Sequence, residues 1–381
     1  MRPFVLGGML LAIVFILATV TYYAARRKIR NVGERVDRPV APLETEFRGE
    51  RFLIQPQSVT AARAKKTGLP STGSEDVSRL LVPPAAERSR GNVVKSDYRP
   101  DAAIDWIIDV EYDGDPVFEA NRIREIFDRA WRKSHGEPTV YGWSPEIARW
   151  TYLDSGDAPK NFSKLTFGWS LHDSVSESPV PLDADNLAQF QSSVDQLSKW
   201  LGNAHIRANR SPAAAAKLSQ EIGQLVQECN RDVTVVLVAP RGKSYAGRDV
   251  WDVMLSLGLR WGDMDLFHWR NDSGEGDDAY FSVWTSTPPG YFLPELIAAD
   301  RVQVADLAFG YSIPRSHRPE MIFDSMLKAI EYAQRRLGGE IQGTDGRRLD
   351  PQTIRTLIRS TVEKMESRSF TPGKDATLRV F

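Results

Sequence analysis

The sequence predicts a mixed α/β protein of the α+β kind, with an N-terminal transmembrane helix, a disordered linker and two tandem copies of one domain. Each copy is expected to be a mainly antiparallel sheet with helices on one face. Three observations predict this. Twenty-two consecutive residues, Phe4 to Ala25, carry no charge and are rich in Leu, Ile, Val, Phe and Ala. Residues 31–100 turn to Pro, Ala, Ser, Thr, Arg and Glu with no sustained apolar period. Beyond residue 100 the order strand, helix, three strands, helix, strand, helix reads twice. The expected boundaries are 4–25 for the helix, 31–100 for the linker, 101–230 and 231–367 for the two domains, and 368–381 for a C-terminal tail.

A helix over 4–25 would rise about 33 Å, close to the ~30 Å hydrocarbon core of a bilayer. A cleavable signal peptide has a shorter apolar core, ~7–15 residues, followed by small residues. Here Tyr22 and Tyr23 sit at interfacial depth and Arg26, Arg27, Lys28 and Arg30 follow. The positive-inside bias then places the N-terminus in the periplasm and the domains in the cytoplasm of an inner-membrane, single-pass protein. The lone Cys229 agrees, since the chain can form no internal disulfide.

The linker lacks the apolar surface needed to offset chain entropy, which is why it is expected to be disordered. With 49 basic and 50 acidic residues, the chain has no general positive field for nucleic acid, and none is expected as a partner. Ten Trp would serve core packing first and recognition second.

In the first copy, Ile104–Tyr112 alternates as a strand and Val117–Trp131 has helical spacing. Strands are predicted at Thr139–Trp143, Arg149–Leu153 and Lys164–Leu171. A helix at Asn186–Leu201, a strand at Asn203–Ala208 and a helix at Pro212–Cys229 complete it. In the second copy, strand Val233–Ala239 precedes helix Arg248–Leu257. Strands Asp263–Trp269, Tyr280–Thr285 and Val304–Ile313 follow, then helix Pro319–Leu337, strand Gly339–Gln342 and helix Pro351–Met365. The caps repeat as well: Gly202 and Gly338 end the long helices, and Ser211-Pro212 and Asp350-Pro351 begin the last ones.

No catalytic constellation emerges, and the chain is not expected to be an enzyme or to hold a cofactor or metal. Arg241-Gly242-Lys243-Ser244 lacks the earlier glycine of a phosphate-binding loop, because that position is Leu237. The acidic run Asn271–Asp278 does not have EF-hand spacing and reads as a solvated hairpin loop. The five His residues show no zinc-ligand spacing. Cys229 shares an apolar helix side with Leu218, Ile222 and Leu225 and reads as core.

Three stretches of the second copy carry a family resemblance. One is Gly258-Leu259-Arg260-Trp261-Gly262-Asp263-Met264-Asp265-Leu266-Phe267-His268. Another is Ala279-Tyr280-Phe281-Ser282-Val283 with Pro289-Gly290-Tyr291-Phe292. The last runs from Met326-Leu327 through Leu337-Gly338-Gly339 and Asp345-Gly346-Arg347-Arg348-Leu349 to Pro351-Gln352. Over about Asp232 to Glu366 the chain resembles the C-terminal domain of the ZipA family of bacterial division proteins. Residues 104–229 look like a divergent second copy of it.

The resemblance implies a sheet whose open face holds the FtsZ C-terminal peptide in a shallow apolar groove. Carried over position by position, and using strand alternation, the groove would comprise Met264, Leu266, His268, Trp284, Ser286, Pro288 and Gly310. Trp284, Ser286 and Pro288 replace a small residue, Met and Lys of the family, and Gly310 replaces an aromatic. A Trp gained and an aromatic lost can compensate in volume. The function implied is a division protein that tethers FtsZ filaments to the inner membrane, with the lipid bilayer contacted through residues 4–25. The alternative is a membrane-anchored scaffold with two peptide grooves for a different protein.

Overall fold

The computed structural model describes residues 63–85, 99–112, 117–156, 158–172, 182–202 and 204–381. The expected span at 4–25 and much of the expected linker lie outside them. No described helix is long and apolar enough to cross a membrane.

The first domain runs β1 (Asp105–Tyr112), β2 (Phe118–Glu119), α1 (Ala120–Ile126), α2 (Arg129–Ser134), β3 (Thr139–Ser144), β4 (Arg149–Tyr152), β5 (Asn161–Phe162), β6 (Lys164–Ser170), α3 (Ala184–Ser198), β7 (Ala204–Ala208) and α4 (Pro212–Cys229). Its five-stranded sheet has the order β4-β3-β6-β1-β7, with antiparallel neighbours throughout. Alternation sends Trp106, Ile108 and Val110 of β1, with Leu165, Phe167 and Trp169 of β6, to one side. There they meet Leu187, Phe190 and Val194 of α3 and Ile222, Leu225 and Cys229 of α4. The expected helix over 117–131 is two helices. Asp128 breaks it by turning its carboxylate onto the Trp131 amide at 2.7 Å, an N-cap that starts α2 anew.

The second domain runs β8 (Asp232–Val238), β9 (Tyr245–Ala246), α5 (Gly247–Ser256), β10 (Arg260–Trp261), β11 (Phe267–Arg270), β12 (Ala279–Trp284), α6 (Pro294–Ala298), β13 (Gln303–Val304), β14 (Asp306–Ser312), α7 (Pro319–Leu337), β15 (Glu340–Gly343), α8 (Pro351–Glu366) and α9 (Asp375–Val380). Its six-stranded sheet has the order β10-β11-β12-β14-β8-β15. Val233, Val235 and Leu237 of β8, Phe281 and Val283 of β12, and Leu307, Phe309 and Tyr311 of β14 share a core with α5 and α7. Here too the helices cover one face.

The two sheets share their central circuit. Phe167-Gly168-Trp169-Ser170 and Phe309-Gly310-Tyr311-Ser312 hold the same register, with Ser170 opposite Asp105 and Ser312 opposite Asp232. Small ribbons pair β2 with β5 and β9 with β13, each just ahead of a helix start. Ala120 N–H donates to the Lys160 carbonyl at 2.8 Å, as Gly247 N–H donates to that of Val302 at 2.9 Å. The hairpins differ. In the first sheet the earlier arm, β3, lies beside β6; in the second the later arm, β12, lies beside β14.

Two expected boundaries are corrected. Residues 63–85, placed in the linker, pack on the second domain: Leu69 and Leu81 enter its core. The Trp251 indole N–H donates to the Pro70 carbonyl at 2.9 Å, and Ser325 Oγ to that of Val82 at 3.1 Å. A segment can fold without periodicity of its own when it lends single apolar side chains to a core already formed. Residues 368–381, expected as a tail, bury Phe370 and Val380 in the first domain's core. On the way they cover the loop 271–278, which is therefore no solvated hairpin. Gly276 N–H donates to the Gly373 carbonyl at 2.8 Å, and Lys374 Nζ to buried Glu275 at 3.0 Å. Gly373 has φ 75°, and a Cβ there would lie 2.6 Å from the His317 backbone nitrogen, so glycine is required. Each domain thus holds a terminal segment that sequence order separates from it.

The clamp closes on Arg379, whose two Nη atoms donate to Asp105 at 2.6 and 3.0 Å. Asp105 is 1 % exposed, and burial lifts its carboxyl above the ordinary range although Arg379 pulls the other way. Arg379→Met leaves that carboxyl without its cation and is expected to cost about 2 kcal/mol in urea unfolding, an amount Asp105→Asn in the same chain largely restores. A carboxyl raised by folding holds its proton more readily in the folded chain. Asp105 therefore favours the fold most at low pH, and this contribution is lost as pH rises from about 3.9 through the folded value. Asp105→Asn is expected to remove that loss, so the variant gains on the wild type as pH rises. A constant difference across the range would contradict it.

Candidate functional site

The uncovered face of the second sheet is built from the alternate residues of its strands. One row across it runs Arg260, His268, Ser282, Gly310 and Thr234, each opposite the next in register. The next row runs Trp284, Ala308, Val236 and Gln342. These residues are small, apolar or hydroxylic at the centre; Arg260 and His268 lie at one end of the first row and Gln342 ends the second.

Trp284 dominates the face. A Cβ built on Gly310 would lie 2.6 Å from Trp284 Cη2, so the indole reaches diagonally from its own row onto the glycine of the next. The indole therefore occupies the space that a side chain at 310 would need. Ala308, opposite Trp284, is 1 % exposed although it points away from the helices.

His268 is fixed in both position and tautomer. Its Nε2 lies 2.8 Å from the Asp263 carbonyl, which can only accept, so Nε2 carries the proton. Nδ1, 2.8 Å from Ser282 Oγ, accepts from that hydroxyl when the ring is neutral. The ring thus locks the β11–β12 pair to the turn before it.

Four of the seven expected positions lie elsewhere. Met264 does not share a strand with His268, because Asp263–Asp265 is a single 3-10 turn in which Met264 and Asp265 adopt φ of 57° and 58°. Left-handed backbone at two non-glycine residues is costly. It is held by Phe292 N–H donating to the Asp265 carbonyl at 2.8 Å. Leu266 is 5 % exposed and precedes β11. Ser286 and Pro288 lie past the end of β12, in a rim turn. There the Ser286 amide donates to buried Asp306 at 2.7 Å, with its hydroxyl on the other carboxylate oxygen. The central face thus unites His268, Trp284 and Gly310, while Met264 and Leu266, before β11, and Ser286 and Pro288, after β12, lie together at one end of that antiparallel pair.

Sequence reasoning missed Thr234, Val236 and Ala308, the floor of the face. Alternation in β8 assigns the first two once the core side of that strand is known. It also missed Arg63, which donates to Asp265 at 3.0 Å and to Glu295 at 2.7 and 3.0 Å. Its guanidinium lies 5.7 Å from the Trp261 ring centre. Burial lifts the Asp265 carboxyl while Arg63 opposes the shift. No local pattern marks a contact between residues this far apart in sequence.

Comparison with known proteins falls on this domain. Residues 232–360 match the profile of the family described as ZipA, C-terminal FtsZ-binding domain, the resemblance expected from the sequence. The chain is similar to the cell division protein ZipA of Marinobacter nauticus, 27 % identical over 164 residues, or 42 % of this chain and 48 % of that one. It is 28 % identical to that of Pseudomonas fluorescens over 158 residues, covering 41 % and 54 % of the two chains. The ZipA of Ectopseudomonas mendocina is likewise 28 % identical, over 163 residues and 42 % and 57 % of the chains. The chain spans about half the length of the curated relatives it matches.

The fit of Trp284 over Gly310 can be tested alone. Gly310→Ala is expected to push the indole off the face and cost about 1–3 kcal/mol in denaturant unfolding, with a changed tryptophan emission. In the Trp284→Ala background the cost shrinks without vanishing, because the new Cβ also lies 2.9 Å from the Val233 carbonyl. Strict additivity would contradict the contact.

Proposed function

We propose that this chain is a ZipA-like cell-division protein whose second domain binds the C-terminal tail of FtsZ on its open sheet face. With residues 4–25 as an inner-membrane anchor and the folded part in the cytoplasm, such binding holds FtsZ filaments at the membrane. The function drawn is binding, not catalysis. One observation carries the reading: the residues that match the FtsZ-binding family are those that build a one-sided sheet whose open face presents Trp284 over Gly310. The two domains are read as divergent copies of one unit, supported by the shared register of Phe-Gly-aromatic-Ser on β6 and β14.

A face of this kind recognises a peptide by laying a few apolar side chains against a preformed floor, with the energy concentrated at one or two anchors. Trp284 is the anchor on this side. It offers a large rigid surface that is already held over Gly310, so little conformational freedom is lost on binding. Ala308 and Gly310 let the indole lie low against the sheet, so the surface offered to a peptide is the ring itself. His268 and Ser282 supply polar groups beside it. Because residues 63–85 are fastened to the second domain, its reach from the bilayer is set by residues 26–62 and not by the whole stretch to residue 100.

A second reading is favoured by the departures at 284 and 310. The indole lies on the floor itself, so the face accepts a different set of anchors from that of the family, and the partner is then another protein held by the same scaffold.

Titration of the full chain with a labelled peptide of the host's own FtsZ tail separates the two. The division reading expects saturable binding, weakened by about 2 kcal/mol, roughly thirtyfold in Kd, in Trp284→Ala. Absence of binding to both the tail and whole FtsZ overturns it and leaves the scaffold reading.

A further inference from the structure

The first domain also leaves most of one sheet face without helices, Arg379 of α9 reaching only Asp105 at the start of β1, and the chain itself lies on it. Side by side on this face are Tyr152, Tyr141, Thr166, Asp109 and Arg207, each opposite the next in register. A neighbouring row holds Trp150, Trp143 and Lys164. Tyr141 and Tyr152 have ring centres 5.1 Å apart, and Trp143 and Trp150 6.1 Å apart. The result is a ladder of four aromatic rings over β3 and β4, ending against carboxylates on β1.

Residues 99 and 100 cross this ladder. The Arg99 guanidinium lies 4.5 Å from the Trp150 ring centre and 4.0 Å from Asp109 Oδ1. Pro100 covers Gly168: a Cβ on that glycine would lie 2.9 Å from Pro100 Cβ and 3.2 Å from Tyr141 Cε2. Gly168 is the register equivalent of Gly310, the glycine covered by Trp284 in the second domain. One domain covers its glycine with a side chain of its own sheet. The other covers it with a proline from outside the sheet.

We propose that the open face of the first domain is a second peptide site, for an extended partner segment carrying proline next to arginine, with Arg99-Pro100 as its resident occupant. The chemistry fits each part. Aromatic ladders take proline rings, whose fixed φ leaves little entropy to lose. An indole face and a carboxylate together hold a guanidinium. Asp109 and Glu111 face the guanidinium of Arg207, at 3.9 and 3.6 Å, and Asp109 also faces that of Arg99 at 4.0 Å. Lys164 in the Trp143 row disfavours a second cation, which limits the ligand to a single one there. The resident pair, joined covalently, acts at high effective concentration and must be displaced by the partner. The inference does not depend on what the second domain binds.

The test uses the full chain in detergent and a fluorescein-labelled peptide copying residues 96–102, Ser-Asp-Tyr-Arg-Pro-Asp-Ala. Replacing Arg99 and Pro100 together by Ala vacates the face and is expected to tighten binding at least about tenfold over the wild-type chain. In that background Trp150→Ala or Asp109→Asn is expected to reverse the gain, with Asp109→Asn the control against a folding defect. Trp284→Ala is expected to leave it unchanged. No gain on vacating the face overturns the proposal, as does a gain that survives Trp150→Ala and Asp109→Asn or one abolished by Trp284→Ala.

Discussion

A glycine at the centre of each sheet, on the side away from the helices, sets what the rest of the molecule can do. Gly168 and Gly310 sit in strands whose other face is wholly committed to core: Phe167 and Trp169 in one, Phe309 and Tyr311 in the other. Any Cβ at either position would collide with what lies above, so each glycine admits a ring or a proline close to the sheet backbone. In the second domain that visitor is Trp284, which lies over Gly310 beside Ala308 and is flanked by the fixed imidazole of His268. Recognition on such a surface needs no cavity. It needs a floor that cannot move, and the seven-residue pairing of β14 with β8 provides it.

The domains are held as one object by exchanged ends. Residues 63–85, ahead of the first domain in sequence, pack on the second; residues after α8 pack on the first. Helix α8 itself lies against both α7 and α4, with Lys364 reaching Glu228 at 3.1 Å. The buried carboxylates Glu275 and Asp105 are each met by a cation from the C-terminal segment, Lys374 at 3.0 Å and Arg379 at 2.6 Å. That is the condition under which buried charges are tolerated and add positional specificity.

Much of this was legible in the sequence. Helices Pro212–Cys229 and Pro319–Leu337 were readable to the residue, because Pro at the first position and an apolar period leave little choice. The second copy's family resemblance located the open face, and alternation placed His268 and Trp284 on it. Alternation failed at Met264 and Ser286, where a left-handed turn and an Asp306 cap end the strands earlier than hydrophobicity suggests. The repeat of Phe-Gly-aromatic-Ser is present in the sequence, but four residues carry weight only once register aligns them. Residues 63–85 and 368–381 were illegible for another reason. Their few apolar side chains serve cores encoded elsewhere in the chain, and composition cannot show that.

The central claim is that the open face around Trp284 is where the FtsZ tail lands. The most direct measurement is fluorine NMR of the full chain carrying fluorotryptophan, with the Trp284 resonance assigned by substitution, during titration with the tail peptide. The account predicts that the Trp284 signal shifts in step with saturation, while the signals of Trp106 and Trp169, buried in the first core, stay fixed. Saturable binding that leaves the Trp284 signal unmoved would contradict it.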